Sequence, residues 1–183
     1  MKMVALLRGI NVGGHRKVSM KELQSISLKA GLNRVETYIN SGNLVFDAGK
    51  MKTTDVTMLL EKTIQKHFGF PVDVVARTEK QWKIYAAKPP FADAAEIRPN
   101  LLMIGLSKLP FKKDVENLLH ERAASTERIK VIGDAIWVDF AGGAGRSKLT
   151  PAFFDKAAGS PVTLRNLRTV LKLSEMLSRD NIG

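Results

Sequence analysis

The chain has 183 residues, 44% hydrophobic and 26% charged, which is typical of a folded globular protein rather than a disordered one. It has no cysteine, which excludes disulfides and cysteine metal sites, and its three histidines are scattered, so we expect neither a metal nor another cofactor. Lys and Arg number 29 against 18 acidic residues, a net charge of +11, so we expect an anionic partner.

The start of the chain predicts neither a signal peptide nor a membrane anchor. The apolar run Met3–Leu7 ends at Arg8, which is too short for a secretory signal. No stretch approaches the roughly 20 apolar residues that a membrane span needs. We therefore expect a cytoplasmic protein with no membrane partner.

The first half predicts four strands and three helices. Ser19 and Glu22 have the spacing of a helix-capping box, and Gly31 and Gly69 are typical residues to follow a helix. The predicted elements are a strand Met3–Leu7, a helix Met20–Ala30, a hairpin of Val35–Ile39 and Leu44–Phe46 around the turn Asn40–Asn43, a helix Asp55–Phe68, a strand Pro71–Ala76 and a helix Thr78–Ala87.

A proline-rich segment, Lys88–Asn100, is predicted to be a linker, and the same order of elements then repeats. The second series consists of a strand Leu101–Leu106, a helix Asp114–Ala123, a hairpin of Arg128–Ile132 and Ala135–Phe140, a loop Gly142–Arg146, a helix Lys148–Ala158, a strand Val162–Arg165 and a helix Leu167–Ser178.

Both halves therefore follow the order strand, helix, hairpin, helix, strand, which is the ferredoxin-like pattern. We predict an α+β protein of two tandem ferredoxin-like units, residues 1–98 and 99–183, with a C-terminal helix. The first strand is apolar throughout, so we expect both of its faces to be covered, one of them by the second unit or by a trailing helix.

The loop Arg8–Lys17 is the sharpest chemical feature of the chain. It contains three glycines, whose backbone N–H groups can wrap an anion, and it precedes a capped helix start. In a ferredoxin-like unit this loop shares one end of the sheet with the turn Asn40–Asn43. The ordinary alternative is that the glycines only permit tight turns and that Ser19 only caps its helix.

A second cluster is predicted around Gly142–Lys148, which offers glycines, two cations and a hydroxyl at a predicted helix start. The spacing of a P-loop is absent. We expect this loop to lie beside Arg165, Asn166 and Arg168. The candidate ligand-binding residues are Arg8, Asn11, Gly13, Gly14, Arg16, Lys17, Asn40, Ser41 and Asn43 in the first cluster and Arg146, Ser147, Lys148, Arg165 and Asn166 in the second.

Four segments together resemble the bacterial family catalogued as domain of unknown function 1697. The segments are Ala5–Gly14, Thr37–Asn43, Gly145–Thr150 and Arg165–Lys172. The chain departs from the family pattern at Leu167 and Arg168, where the family usually has Trp and Asn. The resemblance implies a cytoplasmic bacterial protein with a two-part α+β fold, and it implies no mechanism.

Three functions stay open at this point. The first is a module that binds a phosphate-bearing small molecule or nucleic acid through the basic loops. The second is an enzyme acting on a phosphoryl or acyl-phosphate group, with Arg8 or Arg16 beside Asn40 or Asn43 and with His15 as a weak candidate base. The third is a protein-interaction module whose basic face docks an acidic protein or a second copy of the chain.

Overall fold

The computed structural model describes residues 1–179, so the last four residues of the predicted second unit lie outside the described part. It contains two four-stranded antiparallel sheets with helices, followed by a C-terminal helix. The predicted α+β fold of two ferredoxin-like units is therefore confirmed. No helix in residues 1–179 is long and apolar enough to cross a bilayer.

The first sheet has the strand order β2-β3-β1-β4. Its strands are β1 (Lys2–Leu7), β2 (Asn33–Tyr38), β3 (Asn43–Asp47) and β4 (Val74–Thr78), and its helices are α1 (Met20–Lys29), α2 (Thr53–Phe68) and α3 (Glu79–Ala87). Alternate residues of β1, Met3, Ala5 and Leu7, are buried with residues of α1 and α2 in one core. The residues between them, Val4 and Leu6, are also buried, as expected for an apolar central strand.

The second sheet has the equivalent order β6-β7-β5-β8. The elements are α4 (Ala92–Ile97), β5 (Leu102–Ser107), α5 (Val115–Arg122), β6 (Glu127–Ile132), β7 (Ala135–Phe140), α6 (Pro151–Ala158), β8 (Val162–Asn166) and α7 (Leu167–Ser178). Phe154, Ala157 and Ala158 of α6 pack with Val115 and Leu119 of α5 in the core of this sheet.

The compact units divide the chain differently from the sequence-based boundary at residue 98. Within the described residues, unit 1 comprises residues 1–83 and 173–179, and unit 2 comprises residues 84–172. Residues 84–98 thus group with the second sheet, and the C-terminal part of α7 groups with the first. The boundary falls inside α3 and α7, where no change in composition marks it.

The predicted linker Lys88–Asn100 is wrong in part, because it contains the helix α4. Prolines at 89, 90 and 99 bracket a run of only a few residues that is too short to show helical periodicity. Phe91 precedes the helix with a left-handed φ of 60°. The segment is therefore ordered, and its side chains hold it to the second sheet.

Candidate functional site

The loop Arg8–Lys17 forms a small hairpin. The backbone N–H of Asn11 donates to the carbonyl of Arg16 at 3.1 Å, and the N–H of His15 donates to the carbonyl of Val12 at 3.0 Å. Gly13 and Gly14 stand between them with φ values of 57° and 78°, the pattern of a type I′ turn. These glycines therefore make a tight turn, and two of the backbone donors available for an anion are used inside the hairpin.

Asn11 joins this hairpin to the turn Asn40–Asn43, and we call the two segments the loop pair. Its Nδ2 donates to the carbonyl of Asn40 at 2.7 Å and to that of Val18 at 2.9 Å, while its Oδ1 accepts from the N–H of Val18 at 2.8 Å. The N–H of Leu7 also donates to the carbonyl of Gly42 at 2.8 Å. The predicted meeting of the two segments at one end of the sheet is therefore present.

Left-handed backbone is concentrated in the loop pair and at Ile39, the residue just before its turn. Five non-glycine residues in the described part of the chain have positive φ, and three of them flank this end of the first sheet: Asn11 at 55°, Arg16 at 48° and Ile39 at 48°. Ile39 is β-branched and 50% exposed, so neither its side chain nor burial favours that conformation. Such strain persists only where surrounding contacts hold it, and it is frequent at binding sites.

The basic side chains of the loop pair differ in how they are held. His15, Arg16 and Lys17 are exposed, whereas Arg8 is half-buried with its Nη1 3.9 Å from Asp73 Oδ2. The cations that face solvent are therefore those on the returning strand of the hairpin.

A cavity of about 220 Å³ lies beside Arg16 and has two carboxylates in its wall. The lining residues are Arg16, Glu61, Gln65, Pro71, Val72 and Asp73. Glu61 accepts from the N–H of Val74 at 2.9 Å, so that carboxylate helps to hold the start of β4. An anion entering this cavity would meet two negative groups, which makes the outer face of the hairpin the more favourable surface for it.

The polar residues of the turn have structural partners. Asn43 is fully buried, and its Nδ2 donates to the carbonyl of Tyr38 and to Ser41 Oγ, both at 2.9 Å. Both hydrogens of that amide are therefore taken, so Asn43 is not free to polarise a substrate, and of the two asparagines in the phosphoryl-transfer hypothesis Asn40 is the one left. Among residues 1–179, no three His, Asp or Glu side chains are grouped closely enough to hold a metal ion.

The second predicted cluster is less compact than the first. Strands β7 and β8 run in the same direction and terminate at the same end of the second sheet, but β5 lies between them. The contacts of the loop run to the other side, where the carbonyl of Lys148 accepts from Arg122 Nε at 3.1 Å and Gly142 lies against Thr126. Arg146 is exposed and ends a short 3-10 turn that begins at Ala144.

The helix predicted to start at Lys148 starts instead at Pro151, which places Ser147 and Lys148 before the helix. The N-cap is Thr150, whose hydroxyl accepts from the N–H of Phe153 at 3.3 Å, and proline is favoured at the first helical position. Ser147 Oγ accepts from the N–H of Leu149 at 3.0 Å and so closes a local turn.

Arg165 and Asn166 each have a structural contact. Arg165 is buried, and its Nη1 donates to Thr163 Oγ1 at 3.0 Å and to the carbonyl of Leu164 at 2.8 Å. Burial lowers the pKa of Arg165 to about 10, so its side chain is still a cation at neutral pH. Asn166 Oδ1 accepts from the N–H of Thr169 at 2.9 Å and caps α7.

A buried charge cluster in unit 2 escaped the sequence analysis. Asp139 is fully buried and accepts from Arg98 at 2.7 and 2.9 Å and from Arg128 at 2.7 and 3.0 Å. Burial alone would raise the pKa of Asp139, but the two guanidinium groups outweigh it and hold that pKa below its usual value. Arg128 also binds Asp93 at 2.7 Å and lies 4.6 Å over the ring of Phe91.

This cluster fixes the segment before β5 to the sheet, which explains why Phe91 keeps its strained φ. The signal in the sequence was Asp139 itself, an acidic residue inside the otherwise apolar strand Ala135–Phe140. A charge at such a position requires partners, because an unpaired buried carboxylate is costly.

Comparison with known proteins bears on the family and the fold. The family model described as "Protein of unknown function (DUF1697)" matches residues 1–137, which include the segments Ala5–Gly14 and Thr37–Asn43. Conserved bacterial protein SP0830 from Streptococcus pneumoniae has a similar structure, with a TM-score of 0.75 and 24% identity over 97% of this chain and 98% of that chain. At this identity the likeness shows the fold alone. No curated protein matches the chain.

Proposed function

The chain belongs to the DUF1697 family of proteins of unknown function, and we propose that it binds a phosphate-bearing polyanion, in the first place nucleic acid, through the outer face of the loop pair. The observation that carries the proposal is the concentration of left-handed backbone at Asn11, Arg16 and Ile39 at one end of the first sheet, where the Asn11 side chain bridges the two loops. A binding surface held in this way loses little entropy when a ligand docks.

The shape of the loop pair favours an extended ligand over an enclosed one. Arg16 and Lys17 stand on an exposed hairpin, where a chain of phosphates can pass and bind both cations. The cavity beside Arg16 is small and contains the carboxylates of Glu61 and Asp73, which disfavours a free phosphate inside it. The loop pair therefore favours nucleic acid over a phosphate-bearing small molecule as the ligand.

Recognition in this proposal is of the backbone and not of the bases. Reading bases in the manner of an RNA-recognition motif needs aromatic side chains exposed on the sheet. Phe46, Trp137 and Phe140 are each at most 2% exposed and belong to the interior. We therefore expect little sequence preference. The proposal places the protein in the cytoplasm, where nucleic acid is present and a chain without cysteine needs no oxidising compartment.

The test measures the affinity of the protein for short single-stranded and double-stranded oligonucleotides as a function of salt. The double variant Arg16→Ala, Lys17→Ala removes two exposed cations of the hairpin. The matched control, Lys130→Ala with Lys156→Ala, removes two exposed cations of unit 2. We expect the hairpin variant to lower the slope of log K against log salt by about 2, and the control to leave it nearly unchanged.

Equal losses in the two variants would show that only the overall charge of the protein matters, and the loop pair would no longer be a site. A parallel titration with inorganic phosphate and polyphosphate separates the two forms of the proposal. Binding of inorganic phosphate that Arg16→Ala, Lys17→Ala abolishes, without any binding of oligonucleotides, would replace the polyanion by a small anionic ligand.

A further inference from the structure

A groove of about 530 Å³ lies between α1 and α2, away from the loop pair and within unit 1. Its lining consists of three apolar side chains, four basic ones and a threonine, with no acidic residue. These residues are Ile26, Lys29, Ala30, Leu59, Lys62, Thr63, Lys66 and His67. Neither the family nor the structural neighbour assigns anything to this surface.

The floor of the groove is apolar because both helices turn the edge of their core-facing stripe toward it. Ile26 is 8% exposed and belongs to the core of unit 1, and Leu59 is half-buried and packs against that core. Both walls are helices, whose backbone N–H and C=O groups are hydrogen-bonded within the helix except for the carbonyls of the last turn. A ligand in the groove is therefore bound mainly by side chains, with apolar ones at the floor and charged ones at the rim.

The rim of the groove is cationic. Lys62 and Lys66 are one turn apart on the same face of α2, and Lys29 lies at the end of α1, all three exposed. Like charges at this helical spacing repel one another, so an anion between Lys62 and Lys66 would relieve that repulsion. An acidic side chain stands at one end of the groove, where Glu22 Oε1 is 3.9 Å from His67 Nε2.

We propose that this groove binds a free single-chain amphiphile, with a carboxylate or phosphate head between Lys62 and Lys66 and an alkyl chain on Ile26, Ala30 and Leu59. The volume falls in the range of pockets that hold small molecules, which are mainly apolar with a few placed polar groups. A docked helix would need apolar anchors over about two turns, and three side chains supply too few. The amphiphile site goes beyond the polyanion site and uses a different surface.

Laurate is titrated into the full chain below its critical micelle concentration, and its binding is measured by calorimetry and by NMR chemical-shift changes. Dodecanol and a dodecyl trimethylammonium salt serve as neutral and cationic ligands of the same chain length. We expect laurate to bind at least about tenfold more tightly than dodecanol, and the cationic ligand not to bind. Shift changes should centre on Ile26, Ala30 and Leu59.

Three variants decide the assignment. The double variant Lys62→Gln, Lys66→Gln should lower the affinity for laurate at least about tenfold, whereas Lys130→Gln, Lys156→Gln should leave that affinity unchanged. Thr63→Trp fills the groove and should abolish binding of laurate, with thermal melting as the check that each variant is folded. The hairpin variant Arg16→Ala, Lys17→Ala should bind laurate normally. A failure of the polyanion proposal can therefore be told apart from a failure of this one.

Equal affinity for laurate and dodecanol would overturn the proposal, because the lysine rim would then play no part. Equal weakening by the groove and control variants would overturn it as well. If laurate did not bind and an acidic amphipathic peptide did, the groove would be assigned to a protein partner instead.

Discussion

Arg77 of β4 and Arg165 of β8 occupy the same position in the two sheets. Arg77 pairs with Val4 of β1, and Arg165 pairs with Ile104 of β5, each two residues into the first strand of its unit. Each donates from Nη1 to the carbonyl of the residue before it, at 2.9 Å in Arg77 and 2.8 Å in Arg165. The duplication therefore reaches the level of single hydrogen bonds.

The residues after these arginines correspond as well. Thr78 Oγ1 accepts from the N–H of Gln81 at 3.3 Å, and Asn166 Oδ1 accepts from the N–H of Thr169 at 2.9 Å, so each caps the helix that follows its strand. Sequence identity between the halves was too low to show this match. The order of the elements revealed the repeat, and the register of the strands now aligns it residue by residue.

Replacing each arginine by lysine tests how much this shared position stabilises each unit. Arg165 is 9% exposed and Arg77 is half-buried, and lysine keeps the charge but not the planar fork of donors. We expect Arg165→Lys to lower the free energy of unfolding by about 1–3 kcal/mol and Arg77→Lys to lower it less. Urea denaturation measures both. A larger loss from Arg77→Lys would contradict the role given to burial.

Asp139→Asn should destabilise unit 2 clearly. It leaves the partly exposed Arg98 and Arg128 facing a neutral amide in place of a carboxylate, for which we expect a loss of about 1–3 kcal/mol at neutral pH. Asp93→Asn, at a carboxylate that is 56% exposed, serves as the control and should cost much less. Similar losses from both would show that the cluster acts through surface charge.

The same aspartate predicts how stability depends on pH. The pKa of Asp139 is lower in the folded protein than its usual value of 3.8, so the unfolded chain binds more protons as the pH falls through and below that value. The contribution of Asp139 is therefore complete above about pH 4 to 5 and is lost at more acid pH. We expect the stability curve of Asp139→Asn to fall less steeply below pH 4 than that of the wild type. Parallel curves would contradict the prediction.

Gly42→Ala should disrupt the loop pair through both space and backbone. A Cβ at Gly42 would lie 2.7 Å from Leu7 Cβ and 2.7 Å from Ile10 Cδ1, and its φ is 78°. Gly69 has a similar φ of 82° with open space around it, so Gly69→Ala isolates the backbone cost of about 1 kcal/mol. We expect Gly42→Ala to exceed that loss by at least about 1–3 kcal/mol. Equal melting temperatures would disprove the close packing.

Asn11→Gly separates the shape of the loop pair from its charge. Glycine accepts the left-handed φ of 55° but cannot bridge Val18 and Asn40, while every cation of the hairpin is kept. We expect oligonucleotide affinity to fall several-fold with the salt slope unchanged, because the same phosphates are bound by a less ordered surface. Unchanged affinity would mean that the bridge serves only folding.

The sequence predicted the fold through signals that are local. These signals act over a few residues: capping residues such as Ser19, glycines after helices and a hairpin turn at Asn40–Asn43. Their order along the chain is enough to indicate two ferredoxin-like units. The meeting of Arg8–Lys17 with Asn40–Asn43 followed from strand direction alone. These inferences did not depend on knowing any side-chain contact.

The features that escaped prediction depend on partners distant in the sequence. Asp139 is held by Arg98, 41 residues before it, and no local pattern links the two. The roles of Asn11 and Asn43 were equally hidden, because an asparagine that bridges backbone carbonyls and one that binds a ligand have the same appearance in a sequence. Whether the loop pair binds an anion stays a prediction.

The C-terminal part of α7, Leu173–Ser178, groups with unit 1, and cover of the second face of β1 by this segment stays a prediction. Leu173, Met176 and Leu177 are buried, at 0%, 6% and 0% exposure. Lys2 Nζ donates to the carbonyl of Leu177 at 2.8 Å, which ties this segment to the first strand. Burial of each such side chain contributes about 1.5–3 kcal/mol, a large share of the stability of a small domain.

A fragment of residues 1–98 should therefore melt without cooperativity or aggregate, because it lacks the segment from Leu173 onward. Adding a peptide of residues 167–183 should restore a cooperative melt, whereas the same peptide with Leu173→Asp and Leu177→Asp should not. Circular dichroism and light scattering of the two mixtures measure this. A fragment that melts sharply on its own, with no change when the peptide is added, would show that the first unit is complete without α7, and the cover of β1 would then have to come from within residues 1–98.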